Sequence, residues 1–178
     1  MTVIKYYNVI PRNPSKKWAT RTLHKITKIV IHQLASPSYT GTKDIDNNIR
    51  YFLSPQNHIT PGKPLPYIPY HVIIDEDGKA YQLNHLTDIT WHCKGYNTSS
   101  IGIALMGSFD GPTFKGRDGN PTKLQINTLI KILNGLQSYP FNDVSKEDVY
   151  GHCELDPVNK ENCPGNGAMH ALKEWRKL

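Results

Sequence analysis

Three residues far apart in the chain carry side chains that bind borderline-soft metal ions. They are His32 at the end of KIVIHQ, His152 in GHCELDP and Cys163 in NCPG. Two imidazoles and a thiolate suit zinc better than magnesium or calcium, which prefer oxygen ligands. Three protein ligands leave a fourth tetrahedral position open, and a water held there has its pKa lowered to about 7. The same ion polarises a carbonyl, so the set has what amide hydrolysis needs. The spacing is not a compact motif, and on residue types alone a surface or core role for each is the simpler reading. The three become a site only if the fold brings them together.

The elements that must do so can be read from patterning. KIVIHQ lies in a run over 27–34 rich in β-branched residues, which predicts a buried strand with His32 at its C-terminal end. A strand before it, from Val3 to Val9, is weaker. After a Ser/Thr/Gly/Pro loop at 35–43, Asp44 is a candidate cap for a helix to about Leu53, with Ile45, Ile49, Phe52 and Leu53 at helical spacing. Five prolines between 54 and 69 exclude regular structure and predict a rigid surface loop. YHVIIDEDGKAYQL, residues 70–83, reads as a hairpin turning at Asp77-Gly78. DITWHC (88–93) reads as a short strand and SIGIALMG (100–107) as a central buried one. A Gly/Asp/Pro loop follows at 108–121. Thr122 then caps a helix to about Gln137. A short strand at 148–151 would place His152 at its end, and a last helix covers about 168–177 with Leu172 and Trp175 inward. The order predicts a single α/β domain over 1–178, a mixed central sheet flanked by helices, without repeats or an internal boundary.

Composition narrows the class. With 178 residues and 38% hydrophobic content the chain can build one substantial core. Twenty-one Lys and Arg against 15 Asp and Glu give a net charge of +6, which favours an anionic partner such as a wall polymer, nucleic acid or membrane surface. Lys16, Lys17, Arg21, His24, Lys25 and Lys28 are spread out without interleaved aromatics, so nucleic acid is not expected. Cys93, Cys153 and Cys163 are too few for a disulfide framework and fit a metal ligand plus two reduced thiols. The N-terminal stretch lacks the apolar core of a secretory signal, and no apolar run has the length of a membrane span.

KIVIHQ, PYHVIIDEDG, WHCKGYNTSSIGIALMG and GHCELDPVNKENCPG, in this order, resemble the type 2 N-acetylmuramoyl-L-alanine amidases, the family of phage T7-type lysozymes and peptidoglycan recognition proteins. The resemblance covers 27–165, with 1–26 as an N-terminal extension. It implies an amidase type 2 fold with one catalytic Zn2+ and hydrolysis of the amide between muramic acid and the L-alanine of the stem peptide. Residue by residue, it carries the metal ligands onto His32, His152 and Cys163 and a catalytic tyrosine onto Tyr70. It carries a cleft histidine onto His92 and a substrate contact onto Asn97. Two departures stand out. Many bacterial relatives have a glutamate where Ala104 stands. A lysine often precedes the last ligand by two residues, where this chain has Glu161, with Lys160 one further back in a longer loop. Either Lys160 or Glu161 is then the further catalytic group. Cys93 and Cys153, each following a site histidine, are expected as small reduced packing residues.

The resemblance thus implies a zinc amidase of endolysin type acting on peptidoglycan or muropeptides; the sequence leaves the oligomeric state open, with a monomer as the expectation. Made in the cytoplasm, it would reach the wall through another protein's release or export, or serve in wall recycling. The rivals are a non-catalytic peptidoglycan-binding module, disfavoured by the presence of Cys163, and a basic nucleic-acid-binding protein with a closed structural zinc. The latter would need a fourth ligand, for which only Cys153 or His71 offers itself.

Overall fold

The computed structural model describes residues 3–6, 9–34, 42–56, 62–109, 120–136 and 144–178. Among the described residues eight strands and four α-helices follow in order: β1 (Val3–Lys5), β2 (Ala19–Thr20), β3 (Lys28–Gln33), α1 (Thr42–Leu53), β4 (Val72–Ile74), β5 (Ala80–Gln82), β6 (Asp88–Ile89), β7 (Ser100–Leu105), α2 (Lys123–Leu136), β8 (Val149–Gly151), α3 (His152–Leu155) and α4 (Asn166–Lys177). Six strands form one mixed sheet in the order β1-β5-β4-β7-β3-β8, while β2 and β6 pair antiparallel as a separate ribbon. The expected mixed sheet with flanking helices is the architecture found. No described helix is long and apolar enough to cross a membrane.

The centre of the sheet is the parallel pair β3–β7, in register from Lys28↔Ser100 to Gln33↔Leu105. Both strands are near-continuous apolar runs because helices cover both faces. Ile29, Ile31, Ile101, Ile103 and Leu105 pack against Leu129 and Leu133 of α2 and Leu172 and Trp175 of α4. On the other face Ile73 and Ala104 meet Ile45, Ile49 and Phe52 of α1. Side chains alternate along a strand, so His32, next to Ile31, stands on the α1 face.

The ends of these elements follow local chemistry. The 70–83 hairpin turns as expected, with Gly78 at φ 75° and Lys79 N–H bonded to Asp75 Oδ1 at 2.8 Å. A Cβ on Gly78 would lie 2.8 Å from the Leu124 carbonyl oxygen, so glycine also admits the start of α2. Thr122 caps α2 as predicted: its Oγ1 accepts from Gln125 N–H at 3.1 Å and Gln125 Oε1 accepts from Thr122 N–H at 2.9 Å. Gln125 then donates to the Ile74 and Met106 carbonyls, tying the helix to the ends of β4 and β7.

Four expectations change. The strand from Val3 ends at Lys5. The 88–93 strand stops at Ile89, because Asn97 Oδ1 accepts from the His92 and Cys93 N–H groups and folds that stretch into turns. The proline-rich segment is not a surface loop over its described second half: Leu65, Tyr67 and Ile68 are buried beneath α1, since its apolar residues complete that core. Helix α1 begins at Thr42 rather than after Asp44, whose side chain lies outside the described residues. Of the loop expected at 35–43, residues 35–41 lie outside them and 42–43 belong to α1; most of the loop at 108–121 and the helix end at Gln137 also lie outside.

His71 staples the hairpin to β7. Its backbone N–H bonds the Gly102 carbonyl at 2.9 Å, its Nδ1 accepts from Gly102 N–H at 3.0 Å and its Nε2 donates to the Asp88 carbonyl at 2.9 Å. With both nitrogens engaged it is no metal ligand. Burial, aided by Arg21 and opposed by the Asp88 carbonyl, pushes its pKa down to about 3. Burial acts the same way on His32, His92 and His152. Each binds its proton more readily when unfolded, so their contribution is complete above the unfolded pKa of about 6.5 and is lost as pH falls from there. Thermal melts of metal-free protein should therefore show destabilisation beginning near pH 6, above the carboxylate range. A melting temperature flat between pH 7 and pH 5 would contradict this.

Candidate metal centre

Each of the three candidate ligands is delivered by a different element. His32 comes from the end of β3 and is only 1% exposed. His152 opens α3, a four-residue helix that directly follows β8 and that the sequence reading missed. Its first turn is secured by Glu154, whose Oε2 accepts from Gly151 N–H at 2.8 Å. Arg176 of α4 grips Glu154 with two bonds of 2.9 and 2.7 Å and also donates to the Val149 carbonyl. The C-terminal helix thereby fixes the second histidine.

Cys163 sits on the loop after α3. Its N–H bonds the Lys160 carbonyl at 2.9 Å, and its carbonyl accepts from Cys153 N–H at 2.7 Å. Gln33, beside His32, donates to the Asn162 carbonyl at 3.4 Å and accepts from Phe109 N–H at 2.6 Å, linking the cysteine loop to the histidine strand.

The structure brings all three together. One donor atom from each of His32, His152 and Cys163 lies within 4.8 Å of the other two. The His32 and His152 ring centroids are 4.5 Å apart, and Cys163 Sγ is 3.9 Å from His32 Nδ1. Tetrahedral zinc with bonds of 2.0–2.3 Å needs donors about 3.3–3.6 Å apart, so small side-chain adjustments bring this set into range. The electrostatics agree: burial and then the neighbouring His92, His152 and Lys160 hold the pKa of His32 well below its ordinary value. Burial and Lys160 push that of His152 down to about 4. Both imidazoles are neutral near pH 7, the form that binds a metal. The residues therefore fit a zinc ion. Neither His71 nor Cys153 joins them among the described residues.

The other candidates fall around this cluster. Tyr70 is half-buried with its ring centroid 5.2 Å from that of His32. Its carbonyl accepts from Asn84 Nδ2 at 2.7 Å, which fixes the segment before β4. Burial and the Cys163 sulfur raise its phenol above the usual value, so it stays protonated. Lys160 is close enough to act on both His32 and His152. Both Lys160 and Glu161 are exposed. His92 is 6% exposed and bonds His32 at 3.0 Å. Asn97 spends its side-chain oxygen on the His92 and Cys93 N–H groups, shaping the loop that carries His92. Cys93 and Cys153 are free thiols whose pKa values burial raises, that of Cys93 to about 11.

Sequence reasoning missed the residues that support the cluster: Gln33, Asn84, Ser100 and Gly102. Only Gly102 left a signal, a glycine inside an otherwise apolar strand, which marks close approach of another group. That group is His92: a Cβ on Gly102 would lie 2.6 Å from its Cγ.

Comparison with known proteins places this geometry. Residues 22–166 match the N-acetylmuramoyl-L-alanine amidase family, and the chain belongs to that family. Membership ties it to peptidoglycan. Among curated proteins it is 24% identical over 159 residues to peptidoglycan-recognition protein SC1a of Drosophila melanogaster, covering 89% of this chain and 78% of that one. It is 31% identical over 112 residues to the endolysin of Enterobacteria phage K11, covering 62% of this chain and 64% of that protein. Among solved structures, the fold matches the tracheal cytotoxin-bound ectodomain complex of recognition proteins LCa and LCx with a TM-score of 0.73 at 21% identity, covering 98% and 96% of the two chains. The Ph2119 endolysin from a Thermus scotoductus bacteriophage follows the same fold, with a TM-score of 0.70, 20% identity and coverage of 98% and 99%.

The Gly102 contact sets a test of the packing. Gly102→Ala must displace an imidazole held at both nitrogens, so it should destabilise the metal-free protein by about 1–3 kcal/mol. Chemical denaturation would measure this, and an unchanged midpoint would show that the ring is free to move.

Proposed function

We propose that the protein is a zinc-dependent N-acetylmuramoyl-L-alanine amidase that hydrolyses the amide between muramic acid and the L-alanine of the peptidoglycan stem peptide, acting as an endolysin-type lytic enzyme. The observation that carries this reading is the convergence of His32, His152 and Cys163. Three ligands leave the open position of a catalytic site; a structural zinc would need a fourth.

Zinc held by these residues supplies Lewis acidity, polarising the scissile carbonyl and acidifying a water. The chain's own groups manage charge and protons around it. Tyr70, kept protonated beside His32, presents a hydroxyl donor to the oxygen that becomes negative as the carbonyl is attacked. Lys160 adds a cation whose field reaches both histidines. It stabilises the same charge and, acting on both histidines, is the better candidate than Glu161 for the second catalytic role. The net charge of +6 favours approach to an anionic wall and loses this effect as salt rises.

A second reading, a peptidoglycan-binding module without turnover, draws on the recognition-protein relatives. The complete ligand set favours the enzyme. Purified wall or muropeptide, incubated with zinc-loaded protein, separates the two. The amidase releases stem peptides with a new L-alanine amino terminus; a module binds and releases nothing.

Four variants assign the roles. Cys163→Ala should lose the bound zinc, read by metal analysis, and hydrolysis with it; retained zinc and turnover would refute the ligand set. Tyr70→Phe and Lys160→Ala should keep zinc while lowering kcat by about 10²–10³-fold, the scale of a lost oxyanion donor. Glu161→Ala should remain near wild type, and an equal loss there would transfer the role from Lys160.

A further inference from the structure

We infer that His92 and Ser100 set the tautomer of His32, leaving its Nδ1 bare toward the other two ligands, and so act as positioning residues for the metal centre. Its significance for catalysis rests on the zinc reading above; its geometry does not.

The direction of the chain is set at its far end. The Tyr96 carbonyl can only accept. Ser100 Oγ lies 2.7 Å from it and donates its single hydrogen there. Ser100 Oγ is left with lone pairs and faces His92 Nε2 at 3.3 Å, so His92 donates from Nε2. The Ser100 carbonyl is a further acceptor for the same ring. A neutral imidazole protonated at Nε2 is bare at Nδ1. His92 Nδ1, 3.0 Å from His32 Nε2, therefore accepts, and His32 carries its hydrogen on Nε2. What remains on His32 is the Nδ1 lone pair, the atom 3.9 Å from Cys163 Sγ.

Burial makes the chain decisive. His32, His92 and Ser100 are 1%, 6% and 0% exposed, so water cannot replace a missing partner. Its position is also built in: Gly102 lacks the Cβ that would collide with the His92 ring, and Asn97 holds the backbone of His92 from the other side. The opposite tautomer would aim an N–H bond at the metal position. His92 thus lies behind the ligand, a positioning role beyond the cleft-lining one that the family resemblance implies.

The test compares wild type, His92→Leu, His92→Asn and Ser100→Ala. Nitrogen-15 NMR of metal-free wild type at pH 7.5 should show His32 protonated at Nε2 and bare at Nδ1. His92→Leu should keep its fold by circular dichroism yet weaken zinc binding about 10–100-fold in competition with a chromophoric chelator. Its His32 should become a mixture of tautomers. His92→Asn, whose side-chain oxygen can occupy the place of Nδ1, should recover most of the affinity, a rescue that a purely space-filling role would not give. Ser100→Ala, which removes Oγ but keeps the carbonyl acceptor, should shift the tautomers of His92 and His32 together by a smaller amount, and an unchanged spectrum of both would remove Ser100 from the inference. A His32 proton on Nδ1 in wild type overturns the inference, as does undiminished zinc affinity with an unchanged His32 spectrum in folded His92→Leu. Should His92→Leu fail to fold, the wild-type and Ser100→Ala spectra decide. Wild type that takes up no zinc defeats the zinc reading alone, and the nitrogen spectra still settle the tautomer.

Discussion

A histidine at the end of a strand buried on both faces must have each ring nitrogen accounted for, and much of this molecule follows from that demand. Burying an unpaired polar group costs about 1–3 kcal/mol, and burying a charged one costs more. His32 meets the demand by staying neutral, spending one nitrogen on His92 and turning the other toward a thiol and a second imidazole. The loop from 91 to 99 exists in its observed form because His92 has to reach over Gly102 to make that bond.

The same economy governs the walls. Segments without regular structure surround the site, and buried side chains satisfy their carbonyls. Arg21 donates to the Asn97, Leu86 and Ser100 carbonyls. Asn84 donates to those of Ile68 and Tyr70, and Gln33 to that of Asn162. Each bond joins two stretches distant in sequence, so the loops bearing His92, Tyr70 and Cys163 are referenced to the sheet. Burial lowers the guanidinium pKa of Arg21 to about 10, with Asp88 opposing, so it remains a cation near neutral pH. Preorganisation of this kind lets a small site hold donors at fixed separation.

The strands and long helices were legible because burial leaves periodic traces: β3, β7 and α2 lie where apolar spacing puts them, and the Thr122 cap where its chemistry puts it. The three donors were legible from residue type and ordered context. Less legible were elements whose reasons are non-local. The four-residue α3 has too little sequence for a period and is held by Arg176 from α4. The 65–69 segment reads as a surface loop because prolines dominate it, yet its Leu65, Tyr67 and Ile68 complete a core supplied by α1. Ser100 and Gln33 look like ordinary strand ends until their partners are known.

One departure from the family pattern also has a physical account. Ala104 is fully buried and paired in register with His32, where many relatives carry a glutamate. It belongs to a buried apolar cluster with Leu34, Ile45, Ile73 and Met106. An ionised glutamate there would pull protons onto the neighbouring imidazoles and favour the charged form that cannot bind a metal. A neutral one would carry no negative charge to act as a base. The proposed mechanism divides the work differently: neutral imidazoles as donors, a protonated phenol as hydrogen-bond donor and a lysine for charge. With alanine at 104, an amidase on this scaffold must stabilise the developing oxyanion rather than rely on a base beside the strand. In the proposed mechanism that requirement falls on Tyr70 and Lys160.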